Sequence, residues 1–136
     1  MIKITSEKQF KDTISSDNQI TIIYCWRGGC GSCGGFTPTV SEFAEKQIGV
    51  PHKIPVAYYQ IETSDNFIRP FLGEKNLPVT GVPALVIYYD GRVVGHHVGA
   101  VETPVIEEFI NRTIAEIIQQ HPALTPPILN VTLNAQ

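Results

Sequence analysis

A chain of 136 residues with 43% hydrophobic and 17% charged residues is sized for one domain with a real core. A net charge of −3 leaves no basic footprint for nucleic acid and no cationic cluster for an anionic membrane, and no apolar run approaches the ~20 residues that span a bilayer. Three cysteines, an odd number, argue against a disulfide-stapled secreted scaffold. The first residues, Met1 to Lys8, lack the long apolar segment of a secretory signal. The expected location is therefore cytoplasmic, with export only if a signal has been removed.

In chain order, Ile2 and Ile4 alternate with polar neighbours and predict a short strand. Ser6 and Gln9 form a capping box that opens a helix carrying Phe10 and Ile14 on one face, ended by Asp17-Asn18. Residues 20–26 are β-branched and apolar, the pattern of a strand buried on both faces. Arg27-Gly28-Gly29 then turns the chain into a helix beginning near Cys33, whose apolar positions Phe36, Val40, Phe43 and Ala44 fall at helical spacing. Pro38 is expected to kink it, since proline has no N–H to donate.

Ile54 to Ile61 predicts a further strand, and Asp65 to about Lys75 a helix, although Pro70 and Gly73 weaken that pattern. Ala84 to Tyr89, the turn Asp90-Gly91 and Arg92 to Val98 read as a β-hairpin. Thr103 as N-cap and Pro104 at the first helical position open the last helix, ended by His121-Pro122. Residues 121–136 read as a C-terminal extension, an arm or a tail, after a domain spanning 1–120. The order β-α-β-α-β-α-β-β-α predicts an α/β fold with a mixed central sheet of about five strands and helices on both faces.

The chemistry concentrates in Cys30-Gly31-Ser32-Cys33 at the strand-to-helix junction. Two thiols separated by two residues at a helix start can close and reopen a disulfide. The helix dipole and unpaired N–H groups favour the thiolate of Cys30. Cys33, one turn on, is placed to attack a mixed disulfide and release its partner. Cys-x-x-Cys also forms half of many zinc sites, but Cys25 and the histidines at 52, 96, 97 and 121 do not supply a second ligand pair. No metal and no cofactor beyond the Cys30–Cys33 disulfide is expected. Cys25 reads as a buried small hydrophobe, and His96 and His97 as neighbours pointing to opposite faces of an edge strand.

This order of elements, with Cys-x-x-Cys opening the second helix, resembles the thioredoxin family over residues 1–120. Trp26 stands four residues before Cys30 and Pro38 five after Cys33, as the family's tryptophan and helix-kinking proline do. Gly81-Val82-Pro83 looks like the loop whose proline is cis in that family, and Asp90-Gly91 and Gly99 match its hairpin turn and a glycine near its active site. The departures are equally specific. Tyr24 occupies the position of the family's buried, proton-transferring aspartate, and Tyr58 that of its companion lysine. Gly29 replaces the tryptophan that precedes the first cysteine, Gly31-Ser32 replaces Gly-Pro between the cysteines, and the loop leading to Gly81 is longer.

The resemblance implies a thiol–disulfide oxidoreductase that exchanges protein disulfides through a Cys30 mixed disulfide resolved by Cys33. Cytosolic residence favours reduction, with electrons from a thioredoxin reductase or a small thiol. It further implies a substrate-binding surface at Trp26, Gly29, Val82, Pro83 and Gly99, where the Val82 backbone pairs with an extended peptide. Without the aspartate and lysine, proton delivery falls to water, a backbone group or a tyrosine hydroxyl. The competing readings are a non-catalytic binding module serving secretion or assembly, and a thiol-based metal carrier.

Overall fold

The computed structural model describes residues 1–120; the expected C-terminal extension of 121–136, with the helix end at His121-Pro122, lies outside the described residues. The chain runs β1 (Ile2–Lys3), α1 (Glu7–Ile14), β2 (Ile20–Trp26), α2 (Gly31–Gln47), β3 (Val56–Glu62), a 3-10 turn (Arg69–Phe71), β4 (Ala84–Tyr89), β5 (Arg92–Val98) and α3 (Thr103–Gln120). One sheet of five strands forms in the order β1-β3-β2-β4-β5. β1, β3 and β2 pair in parallel, whereas β4 and β5 run antiparallel to their neighbours. This is the expected mixed α/β architecture.

Local chemistry accounts for most of these elements. At the start of α1 the Ser6 hydroxyl accepts from the Gln9 N–H (3.1 Å), while the Gln9 side-chain oxygen reaches back to the Thr5 N–H (2.8 Å). At the β4–β5 turn Asp90 and Gly91 both take positive φ (57° and 76°), the pairing that matches strand twist in a two-residue hairpin. α2 runs on through Pro38 without interruption and begins at Gly31, earlier than the motif suggests, because Cys30 itself is the N-cap.

β2 is central and buried on both faces, so its alternating side chains seed two cores. Ile20, Ile22 and Tyr24 join Leu85 and Ile87 beneath Phe36, Val40 and Phe43 of α2 and the Ile106-Ile110-Ile114-Ile117 stripe of α3. Ile23 and Cys25 join Ile61, Val86 and Tyr88 beneath Phe10 and Ile14 of α1.

The helix expected over Asp65 to Lys75 does not form. Its place is taken by consecutive short turns closed by bonds such as Ile68 N–H to Asp65 O, Phe71 N–H to Ile68 O and Leu72 N–H to Arg69 O, all of i→i+3 type. Pro70 has no N–H to propagate an α-helix and Gly73 takes φ 79°, so the tighter turns are what this stretch sustains. Their apolar residues Ile68, Leu77 and Val79 are drawn into the α1-side core, which anchors the long segment over the sheet. β3 begins at Val56 rather than Ile54, Pro55 contributing only its carbonyl, to the Ile20 N–H (2.9 Å).

Candidate active site at the start of the second helix

β2 delivers the chain to the sheet's C-terminal edge, where Arg27 to Gly29 reverse it into α2. Gly29 adopts φ 80°, a conformation side chains resist, and the Cys30 N–H closes the turn on the Arg27 carbonyl (3.2 Å). Cys30 and Cys33 are joined in a disulfide with their Cα atoms 5.3 Å apart. The Cys33 N–H donates to Cys30 Sγ (3.2 Å), so the first sulfur sits in the field of the helix's free N–H groups. Cys30 is partly exposed, whereas Cys33 is 2% exposed. Gly31 and Ser32 between them are exposed, and Ser32 Oγ lies 3.7 Å from Cys30 Sγ.

Antiparallel pairing of Cys25 with Ala84 carries the loop before β4 to the same edge. The Val82–Pro83 peptide is cis, and the Val82 carbonyl oxygen lies 3.8 Å from Cys30 Sγ. The Pro83 carbonyl accepts from the Gly99 N–H (2.8 Å), and the Gly99 carbonyl contacts the His97 ring nitrogen Nε2 (3.0 Å). His97 in turn packs on Phe109 of α3, its ring centre 5.9 Å away, while His96 is exposed on the opposite face. Cys30, Cys33, Ser32, Val82, Pro83 and Gly99 are thus brought together.

The Trp26 side chain is tied to β1 and β3. Its indole N–H donates to Gln60 Oε1 (3.1 Å), Gln60 donates to the Met1 carbonyl (3.2 Å), and the Lys3 ammonium lies 5.9 Å from the ring. Its backbone carbonyl accepts from the N–H and hydroxyl of Thr63 (2.8 and 3.1 Å), which ties the 62–80 segment to the motif loop. Tyr58 lies two positions from Tyr24 on the same strand pair and packs edge-on against Phe43, away from the sulfurs, and burial pushes its phenol pKa up.

Tyr24 is fully buried beneath α2. The Thr37 hydroxyl donates to the Cys33 carbonyl (2.8 Å), which spends its only proton, so the Tyr24 hydroxyl must be the donor in its 2.7 Å bond to Thr37 Oγ1. Burial raises the Tyr24 pKa, and a bond that the phenol itself donates favours its neutral form further. The phenol is therefore a fixed donor that holds the first turns of α2, not a base aimed at sulfur. Tyr24→Phe is expected to lower stability by about 1 kcal/mol, the worth of one buried hydrogen bond, in urea denaturation. It should leave the pH profile of thiol alkylation unmoved; a displaced profile would make the tyrosine a proton-transfer group instead.

Thr37 and Gln60 are site residues that the sequence reading does not include; Thr37 has a signal, its spacing of four from Cys33 on one helix face, whereas Gln60 has none. Of the two edge-strand histidines, His97 is the one whose ring reaches the Gly99 carbonyl. Cys25 packs in the α1-side core, wholly buried and turned from the motif, and burial pushes its thiol pKa up to about 12. No group of three metal-ligating side chains occurs among the described residues, and none of their helices is long and apolar enough to cross a membrane.

The reversible chemistry available at this edge is the making and breaking of one sulfur–sulfur bond, which is the work of a thiol–disulfide oxidoreductase. A family model described as Thioredoxin matches residues 1–112, and the chain belongs to that family. It is 21% identical to thioredoxin C-2 of Corynebacterium nephridii over 114 residues, covering 84% of this chain and 96% of that protein. With Pseudomonas aeruginosa thioredoxin the identity is 25% over the same length and coverage. Among solved structures, Malassezia sympodialis thioredoxin superposes with a TM-score of 0.66 at 18% identity, covering 84% of this chain and 91% of that one, a likeness of fold.

Proposed function

We propose that this protein reduces protein disulfides through Cys30, with Cys33 as the resolving thiol. The observation that carries the reading is the asymmetry of the pair: a partly exposed Cys30 at the N-cap of α2 and a buried Cys33 one turn inside. The Cys30 thiolate attacks one sulfur of a substrate disulfide, forming a Cys30–substrate bond while the other substrate sulfur leaves with the electron pair and takes a proton. The Cys33 thiolate then attacks Cys30 Sγ, closing the intramolecular disulfide and expelling the second substrate thiolate. Two electrons pass to the substrate. A thioredoxin reductase or small thiols return them.

The N–H of Cys33 and the helix dipole supply the stabilisation of the Cys30 thiolate. The Val82 backbone, unpaired with other backbone groups among the described residues, offers a substrate strand its first hydrogen bonds beside the sulfur. Pro83 and Gly99 hold that edge in place, with Gly29 keeping the approach to Cys30 open. The cytoplasm is the compartment in which such a reductant works.

The test is the reduction potential of the Cys30–Cys33 pair, measured by glutathione equilibration with mass spectrometry. A value near the roughly −270 mV of a reducing dithiol supports the reading, and one toward roughly −120 mV reverses the direction to oxidation. Failure to form a reversible disulfide removes the enzyme reading altogether.

A further inference from the structure

A cleft of about 430 Å³ opens directly beside the disulfide, between the motif loop and the long segment after β3. Arg27 and Thr63 line it together with Leu72, Val79 and the Thr80-Gly81-Val82 stretch. Val82 belongs both to the cleft and to the edge beside Cys30, its carbonyl 3.8 Å from the sulfur. A peptide joined to Cys30 and paired with Val82 therefore runs into this cleft within a residue or two of its cysteine, given the ~3.3 Å rise per extended residue.

Its lining has a defined chemistry. Arg27 is exposed and forms no ion pair among the described residues. Glu62, next to Thr63 of the lining, is occupied: burial, the largest single influence, raises its pKa, but bonds from Ser64 and the Gly28 N–H together with the Lys3 charge hold it below the usual range. Thr63 is committed to the Trp26 carbonyl, which leaves the Arg27 guanidinium as the unmatched charge. Leu72, with the 4% exposed Val79 behind it in the core, adds the apolar part of the lining, and both are present only because the 62–80 segment folds as short turns over the sheet.

We propose that this cleft selects protein substrates by the side chains flanking the reacting cysteine, taking an acidic side chain against Arg27 and an aliphatic one against Leu72 and Val79. The inference rests on the proposed disulfide reduction and adds the substrate class to it. The guanidinium is suited to a carboxylate because it offers paired donors in one plane. A basic flank would place two like charges in the same cleft.

The test uses the reduced protein and short peptides whose central cysteine is disulfide-linked to mercaptoethanol, flanked by Leu and Glu or by Leu and Lys. The wild-type protein should cleave the Glu peptide about fivefold faster than the Lys peptide, the scale of one exposed ion pair. Arg27→Glu should invert that ratio, and because it is a ratio, any change in Cys30 reactivity cancels. Leu72→Ala should slow Leu-flanked peptides relative to Ala-flanked ones without changing the Glu-to-Lys ratio. An equal rate for both charges, or a preference that survives Arg27→Glu, overturns the proposal. Hydroxyethyl disulfide, too small to fill the cleft, separates the two readings: if the wild type fails to reduce it, the oxidoreductase reading is what has failed.

Discussion

Cys30→Ser is expected to abolish disulfide reduction, by roughly a thousandfold or more, because a serine hydroxyl is not ionised at neutral pH and is a poor nucleophile toward sulfur. Cys33→Ser is expected to behave differently. Its Cys30 still attacks, but no buried thiol remains to displace the substrate, so the reaction stops at a mixed disulfide. The geometry sets this asymmetry, since Cys30 is the partly exposed N-cap and Cys33 is 2% exposed behind it. The measurement is insulin reduction followed by turbidity, with the adduct identified by intact mass. If Cys33→Ser forms no adduct while Cys30→Ser does, the roles are exchanged and the account of the helix N-terminus is wrong.

The second large effect is alkaline loss of stability. Complete burial raises the Cys25 thiol from 9.0 to about 12. Below pH 9 both folded and unfolded chains keep this proton. Between pH 9 and 12 the unfolded chain releases it and the folded chain does not, so stability present below pH 9 is lost as pH rises. At 1.36 kcal/mol per pH unit the loss is about 4 kcal/mol from this one thiol. Burial also raises Tyr24, Tyr58 and Tyr88, which adds to the loss with the same sign from about pH 10 upward.

Urea midpoints taken from pH 7 to 10.5 should therefore fall steeply above pH 9. Cys25→Ala should start about 1–2 kcal/mol lower at neutral pH, from the cavity it leaves, and then decline with a slope smaller by one proton. A wild-type midpoint that stays level across this range would mean that Cys25 is reached by solvent.

Thr37 and Tyr24 show where reading along the chain reaches its limit. That Tyr24 is buried follows from its place in a β-branched central strand, and that Thr37 faces Cys33 follows from helical spacing. That the two hydroxyls meet, thirteen residues apart, depends on how α2 lies across the sheet. The same holds for Trp26, whose partner Gln60 is thirty-four residues away, and for Val82, which reaches Cys30 across fifty-two. The failed helix at 65–75 is the converse case. There Pro70 and Gly73 were visible, but only the burial of Ile68 and Leu77 in the α1-side core decided between a kinked helix and a string of turns.

By itself the sequence determined the paired thiols, the helix that starts at them, the parallel unit around them and the hairpin that follows. Each is set by neighbours within one or two turns, through spacing, capping and the handedness of crossover connections. Tertiary structure decided where the tyrosine hydroxyl points and that Arg27 and Leu72 line one cleft next to Val82, whose carbonyl reaches the sulfur. Those outcomes come from packing distant segments against one sheet, and no local periodicity records which distant side chains will meet.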